Sequence, residues 1–467
     1  MRFVSILIMG FACLGNAYAN QNDVADPMAS AVRELQLAFV SNRAEAESVF
    51  SEAMNTALAQ SLEAANNEND RVTLRYEWAR GHFAYLNQYP EQTLDLDYRP
   101  SDQFLSFIDA LDGTRSDLLD NESYENALIA WRNFYADQIR SADPEHEDGD
   151  NIRLSTQLAA SARFENDEIQ CFLDGQALQA QLEDFEADGI DDEPQAYAQR
   201  CPSGLADELL TGFEEQLSER DDQPMVVFKN VSGLDLELAV HLPEIDTEET
   251  LRPAMVWFHG GGWYTGSWSW CTMCDWFTER GFVVYSVEYR IRGRHNVNVG
   301  DSIADARDAI TWVRENAATY NVDPDQVIAA GFSAGGHLAL STASLNAIPM
   351  SQKPQAAIGI SACVDLSDTG WAVLQAGSLE AARNWSPLHA EPAGFSPMLI
   401  MNGGRDHLCL FDGVSRFVES ANTAGQDVTL IDWPNAGHFS IFRDPDMREE
   451  GLIGLDQFLA QQGFETD

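Results

Sequence analysis

Long apolar runs alternate with amphipathic segments from about Pro224 to the end of this chain. Continuous apolar strands joined by helices predict a mostly parallel sheet that helices cover on both faces. In folds of this class, the reactive crevice lies at the carboxyl ends of the strands. The first two runs predict an antiparallel hairpin across Ser232 and Gly233, and helices are predicted over 268–280, 301–320 and 335–345. The strand-like runs are MVVFKNV, LDLELAVHL, AMVWFHG, FVVYSVEYR, VIAAGFS, AAIGISA, PMLIMNG and DVTLIDWP.

The preceding region follows a different pattern. Its apolar residues recur every three to four positions, as in RELQLAFV and EAESVFSEAMNTALAQSLEAA, so we predict an all-helical region of about five to seven helices. Breaks are predicted at the turn-rich segments LNQYPEQT, SADPEHEDGDN and ADGIDDEPQ. A chain of 467 residues exceeds what one hydrophobic core usually serves. We therefore predict a helical domain over residues 20–222 and an α/β domain over residues 223–467.

Acidic residues dominate the charge of the chain. There are 75 of them against 28 basic residues, which gives a formal net charge of −47. Phosphate binding requires the opposite sign, so we do not expect a nucleic-acid partner. The region 20–222 carries 44 acidic and 13 basic residues, and only Lys229 and Lys353 are lysines. An acidic surface nearly free of lysine suits a salty medium, where screening relieves self-repulsion.

The first nineteen residues have the pattern of a secretory signal. Arg2 supplies the positive end, residues 3–14 form the apolar segment, and Ala17 to Ala19 is a small-x-small cleavage site. We expect the mature protein to begin near Asn20 and to be secreted or periplasmic. A lipoprotein modified at Cys13 is the alternative. No other apolar run of the sequence is long enough to cross a bilayer.

Six cysteines follow the leader, and an exported protein meets an oxidising compartment. Six cysteines allow fifteen pairings. Their order along the chain suggests three local pairs, which are Cys171 with Cys201, Cys271 with Cys274, and Cys363 with Cys409. The middle pair could equally stay reduced. Zinc binding by this pair is a further alternative, although the other half of a four-ligand site is not visible.

Ser333 lies in the stretch GFSAGGHLA, between the predicted strand VIAAGF and the predicted helix that follows it. A GxSxG sequence in this strand–turn–helix context is typical of a nucleophilic serine held out on a sharp turn. The amino end of the helix directs its positive dipole at the reacting atoms. Sequence context therefore makes Ser333 the candidate nucleophile.

Three consecutive glycines follow the predicted strand AMVWF in the segment HGGGW. Glycines permit backbone conformations that other residues resist, and they leave peptide N–H groups free to face a developing oxyanion. We predict an oxyanion hole from Gly261, Gly262 and the amide of Ala334. A tight turn without a catalytic role is the alternative for this segment.

A serine nucleophile needs a base, and the base needs an orienting acid. His438 follows a late predicted strand, as the chain order serine, acid, histidine requires, and His407 is its competitor. Asp406 follows the predicted strand PMLIMNG and is the preferred acid, with Asp365 as the second choice.

The segments HGGGW, GFSAGGHLA, GGRD and AGHF, in this order, resemble the α/β-hydrolase superfamily. They are most similar to carboxylesterases with an HGGG oxyanion motif, namely the bacterial acetyl and feruloyl esterase-like group and its hormone-sensitive-lipase-like relatives. The resemblance covers about Met225 to Phe464. It implies an eight-stranded, mostly parallel sheet, and neither a cofactor nor a metal. It assigns catalysis to Ser333, Asp406 and His438, and oxyanion binding to Gly261, Gly262 and Ala334.

The expected reaction is hydrolysis of short-chain acyl or carbohydrate-linked esters through an acyl-enzyme. Phe332 stands where the lipase-like branch usually has an aspartate, which favours the acetyl and feruloyl group. SAGGHL also resembles kynurenine formamidase, so an amidase is one alternative, and a serine exopeptidase of related fold is another. A non-enzymatic binding protein is a third. No partner of the helical region is indicated, and a docking role for that region stays open.

Overall fold

The structure, a computed structural model, describes residues 43–65, 67–93, 100–142, 152–183, 193–201, 203–243, 251–345 and 349–464. The described residues form two compact units, one reaching Phe213 and the other beginning at Glu214. The first is helical and the second contains an eight-stranded sheet. The predicted leader over residues 1–19 and the helix-like segment RELQLAFV lie outside the described residues. None of the described helices is long and apolar enough to cross a membrane.

Eight α-helices are present among the described residues up to 222, one more than the upper end of the prediction. The additional one is a single turn that begins after Ser101, whose side chain accepts a hydrogen bond from the N–H of Phe104. The predicted breaks at SADPEHEDGDN and ADGIDDEPQ lie largely outside the described residues. The helix expected to stop in LNQYPEQT continues through Pro90 to Thr93, because proline removes one N–H group without forbidding helical φ. The helices are α1 (Arg43–Ala64), α2 (Glu68–Thr93), α3 (Asp102–Leu105), α4 (Glu122–Ala142), α5 (Ile152–Ser161), α6 (Asp167–Glu183), α7 (Glu193–Arg200) and α8 (Gly204–Asp222).

Aromatic and aliphatic side chains fill the interior of the helical unit. Phe50 and Met54 of α1 pack with Phe83 of α2, which is fully buried. Complete burial of one such side chain stabilises the fold by about 1.5–3 kcal/mol. A disulfide between Cys171 and Cys201 ties α6 to the residue after α7, as the order of the cysteines suggested.

The second unit is built on a single eight-stranded sheet. Its strand order is β1-β2-β4-β3-β5-β6-β7-β8, with β1, β2 and β4 paired antiparallel and all other neighbours parallel. The predicted mostly parallel sheet with an amino-terminal hairpin is therefore confirmed. The strands are β1 (Met225–Val231), β2 (Leu234–His241), β3 (Arg252–Phe258), β4 (Val283–Val287), β5 (Val322–Phe332), β6 (Ala356–Ile360), β7 (Met398–Gly403) and β8 (Val428–Trp433).

Helices cover both faces of this sheet. One buried cluster packs strand residues such as Trp257 and Ile328 against Phe277 and Phe458. A second cluster joins Ile400 to residues of the helices that follow β5 and β7. The helices of this unit are α9 (Cys274–Thr278), α10 (Arg292–His295), α11 (Val299–Glu315), α12 (Ala334–Ser344), α13 (Gly370–Ala376), α14 (Leu379–Trp385), α15 (Phe411–Thr423), α16 (Ser440–Arg443) and α17 (Pro445–Gln461).

The helix predicted over 268–280 is wrong in its first half, because α9 begins only at Cys274. The backbone before it is bound to side chains around β4: the N–H of Trp268 donates to Glu288 Oε2 at 2.7 Å, and Ser286 donates to the Trp268 carbonyl. A helix would pair the Trp268 carbonyl with the N–H of Thr272, which instead donates to the Trp270 carbonyl. Cys271 and Cys274 form a disulfide, so this pair offers no thiolates for the zinc alternative.

Candidate active site

Ser333 occupies a strained turn between β5 and α12. Its φ of 56° and ψ of −118° lie in a region that L-residues rarely adopt. The turn is fixed from the neighbouring strand, because the Ser333 N–H donates to the carbonyl of Ile360 at the end of β6 over 2.8 Å. The strain holds the serine side chain at the carboxyl edge of the sheet, where the sequence context had located it.

The two glycines of the GxSxG stretch are required by close backbone approach. A Cβ on Gly331 would lie 2.4 Å from the backbone of Gly335, and one on Gly335 would lie 1.9 Å from the carbonyl oxygen of Phe258. No side chain fits at such distances. The motif therefore brings the first turn of α12 directly against the end of β3.

His438 connects the serine to an acid. Its Nε2 lies 2.9 Å from Ser333 Oγ, and its Nδ1 lies 2.7 Å from Asp406 Oδ2. With Nδ1–H donating to the carboxylate, Nε2 accepts the serine hydroxyl. The three residues are only 4–7% exposed. Side chains that are 32 and 105 positions apart along the chain thus form one hydrogen-bonded line.

Asp406 is fixed by the backbone of its own loop. Its Oδ1 accepts the N–H groups of Leu408 and Cys409, each at 2.9 Å, which leaves Oδ2 for the histidine. Cys409 in turn forms a disulfide with Cys363, the third pairing that the cysteine order suggested. The loop is therefore held at both of its ends, by β7 and by this crosslink.

The competing residues lie elsewhere. Asp365 binds Ser367 at 2.6 Å, His389 at 3.2 Å and Arg416 at 3.4 Å, and not the imidazole of His438. His407 is exposed at the surface. Of the residues weighed as acid and base, the structure joins Asp406 and His438 to Ser333.

The HGGG segment follows the end of β3. It lies beside the serine turn, because Phe258 at the end of β3 pairs with Gly331 near the end of β5. Gly261 has a φ of 114°, and a Cβ there would lie 2.0 Å from the carbonyl oxygen of Thr265. Gly262 also has positive φ, 64°. Within the described part of the chain, the N–H groups of Gly261, Gly262 and Ala334 donate to no other group. They are available to bind an anion.

Aromatic side chains surround this edge of the sheet. Trp263 is 1% exposed and stacks on Trp371 of α13 with ring centroids 5.7 Å apart. The Trp371 ring lies 3.5 Å from the position of a Cβ on Gly262, so it covers the glycine loop. Phe332 packs on the imidazole of His438 at 5.0 Å between centroids. Trp276 is 9% exposed and packs edge-on against Phe277 with ring centroids 4.9 Å apart.

Sequence reasoning did not identify Ser361, which follows β6. Its hydroxyl donates to the carbonyl of His438 at 2.8 Å, and its φ is 45°. This contact joins segments 77 positions apart, and a single serine after an apolar strand gives no signal for it. The role of Phe332 beside the histidine was also missed, since its position before the serine was read only as a departure from the lipase-like pattern.

Three histidines of this unit are held neutral by burial. Desolvation lowers the pKa of His259 and of His337 to about 4 and the pKa of His295 to about 3. A histidine with lowered pKa stabilises the fold above pH 6.5 and loses this contribution as the pH falls.

We expect the free energy of unfolding of this unit to fall by about 3 kcal/mol from pH 6 to pH 5, since unfolding takes up roughly one proton at each of His259, His295 and His337. Urea unfolding at the two pH values measures it. A stability that is equal at both pH values would contradict the assignment of neutral buried histidines.

Comparison with known proteins gives a consistent result. A protein-family model described as BD-FAE matches residues 238–370, which include the HGGG segment and Ser333. An esterase of known structure from the Planctomycetes species Thermogutta terrifontis is 33% identical, and the match covers 52% of this chain and 93% of that one, with a TM-score of 0.48. The α/β unit belongs to the α/β-hydrolase carboxylesterases. The helical unit precedes the carboxylesterase unit in the chain.

Curated relatives of the carboxylesterase unit match over shorter stretches. Arylacetamide deacetylase from Bos taurus is 32% identical over 124 residues, which are 25% of this chain and 30% of the deacetylase. The non-reducing polyketide synthase atr1 from Stereocaulon alpinum is 31% identical over 138 residues, 28% of this chain and 6% of the synthase. This chain thus spans less than one third of the length of either curated relative.

Proposed function

We propose that this protein is a serine carboxylesterase that hydrolyses short-chain acyl or carbohydrate-linked esters. The observation that carries the proposal is the hydrogen-bonded line from Ser333 Oγ through His438 to Asp406, at 2.9 Å and 2.7 Å. A serine hydroxyl becomes a nucleophile when a base accepts its proton during attack, and the base acts well when an acid fixes its orientation. In this proposal His438 is the base and Asp406 is the acid that orients it.

In the proposed reaction, Ser333 Oγ attacks the ester carbonyl while His438 Nε2 takes the hydroxyl proton. The carbonyl oxygen becomes an oxyanion, which the N–H groups of Gly261, Gly262 and Ala334 stabilise. Collapse of this intermediate expels the alkoxide, which receives the proton from His438 and leaves as alcohol. Water then attacks the acyl-enzyme while His438 Nε2 takes a proton from it. The histidine passes this proton to Ser333 Oγ as the acid leaves, which restores the serine.

The preference for short acyl groups is supported by the aromatic cover on the glycine loop. Trp371 lies over Gly262, one of the proposed oxyanion donors, and stacks on the buried Trp263. Bulky side chains this close to the donors restrict the space beside the reacting carbonyl. The amidase alternative stands beside the esterase, since the bovine relative is an arylacetamide deacetylase.

We also propose that the protein is exported. Disulfides persist mainly in oxidising compartments, and the described residues contain three, at Cys171–Cys201, Cys271–Cys274 and Cys363–Cys409. The apolar leader over residues 1–19 supplies the signal in this proposal.

A panel of substrates tests the proposed activity. We expect hydrolysis of p-nitrophenyl acetate and butyrate, slower hydrolysis of the octanoate, and much slower hydrolysis of p-nitroacetanilide. Acetylated xylan and methyl ferulate show whether carbohydrate-linked esters are accepted. A fluorophosphonate should label one serine, and peptide mass spectrometry should locate the label at Ser333. Faster turnover of the anilide would favour the amidase, and an unlabelled Ser333 would favour a binding protein without catalysis.

A further inference from the structure

The last residue of β6 and the segment after it contact the nucleophile, the base and the loop of the acid. The Ile360 carbonyl accepts the N–H of Ser333, and the Ser361 hydroxyl donates to the His438 carbonyl. Two residues later, Cys363 is covalently bonded to Cys409, whose N–H donates to Asp406. Ile360, Ser361 and Cys363 therefore hold, in turn, the nucleophile, the base and the loop of the acid.

We propose that the Cys363–Cys409 disulfide is a positioning device for catalysis, acting through Asp406; the inference rests on the proposed serine esterase function. Both cysteines are buried, at 3% and 2% exposure, and among the described residues neither forms a hydrogen bond with the side chain of His438 or of Ser333. The disulfide acts on Asp406 indirectly, through the N–H of Cys409 that orients the carboxylate.

The geometry explains why a covalent link matters at this position. Asp406 presents Oδ2 to His438 only while Oδ1 is held by the N–H groups of Leu408 and Cys409. These donors lie on a loop between β7 and α15, and Cys409 is the residue through which that loop is tied to β6. Without the tie, the loop gains freedom, and the carboxylate loses the donor that fixes its rotation.

The effect of releasing the loop should fall on turnover rather than on substrate binding. A displacement of about 1 Å in a catalytic group can cost on the order of a hundredfold in rate. The proposed oxyanion donors lie on a different loop and at the start of α12, so KM should stay within about twofold while kcat falls by roughly 10- to 100-fold.

The test is a cycle of variants assayed with p-nitrophenyl acetate. C363A/C409A should lower kcat as stated, and C271A/C274A, which removes another disulfide of the same unit, should leave kcat within about threefold. The decisive comparison uses Asp406→Asn. If the disulfide acts through Asp406, adding C363A/C409A to this variant should lower kcat by less than about twofold, because groups acting as one unit are not additive.

Rates are taken per active site titrated with a fluorophosphonate, so loss of folded protein does not count as loss of turnover. C363V/C409V serves as a second variant, because the valine side chains refill the volume left by the two sulfur atoms. The proposal is overturned if kcat is unchanged in both variants, or if it falls by the same factor with and without Asp406→Asn. Ester hydrolysis that does not depend on Ser333 in the unaltered protein would instead overturn the proposed function.

Discussion

Replacement of Ser333 by alanine is expected to lower kcat for p-nitrophenyl acetate by about 10⁵- to 10⁶-fold. The methyl group cannot form the acyl-enzyme, so the reaction loses the covalent route and only oxyanion binding and substrate positioning remain. These residual effects still accelerate hydrolysis by roughly 10³- to 10⁴-fold over water. Steady-state assays with high enzyme concentration measure the remaining rate.

Ser344→Ala, at the last residue of the helix that follows Ser333, is a matched control. Ser344 is also buried, and its hydroxyl donates to the Leu340 carbonyl within α12 rather than to the histidine. Its replacement should leave kcat within about threefold. Retention of more than about one hundredth of the activity by Ser333→Ala, after purification away from the unaltered protein, would exclude Ser333 as the nucleophile.

The sheet and the serine turn could be predicted because their signals are local. A fully buried parallel strand reads as a continuous apolar run, and β3, β4 and β7 are such runs. The glycines around Ser333 are fixed by contacts with the end of β3, and they recur at a recognisable spacing. Asp406 and His438 follow from the position of their loops after late strands.

The remaining features depend on contacts between distant segments. The course of the chain near Trp268 is set by the side chains of Ser286 in β4 and of Glu288 just after it, which overrode the helical pattern of that segment. Ser361 is recognisable only once β6 is placed beside the histidine loop. The order of the cysteines suggested that Cys363 bonds to Cys409, but not that the bond adjoins the acid, because the hydrogen bond of Cys409 to Asp406 exists only in the folded loop.

Substitution of Asp406 by asparagine is expected to lower kcat by about 10⁴-fold with little change in KM. Asparagine occupies the same space, yet its carboxamide can direct an NH₂ group at His438 Nδ1. The imidazole would then carry its proton on Nε2, facing Ser333, and could not accept the hydroxyl proton. The same replacement of Asp365 should leave kcat within about threefold, since that carboxylate binds Ser367, His389 and Arg416.

The pair of variants decides between the two acids that the sequence offered, because both follow neighbouring strands and both are buried. Fluorophosphonate labelling should slow in Asp406→Asn and keep its normal rate in Asp365→Asn, since the label reports the reactivity of Ser333 directly. If Asp365→Asn instead caused the large loss, the loop bearing Asp406 would have to rearrange in solution. The 2.7 Å contact between His438 Nδ1 and Asp406 would then not be the one used in catalysis.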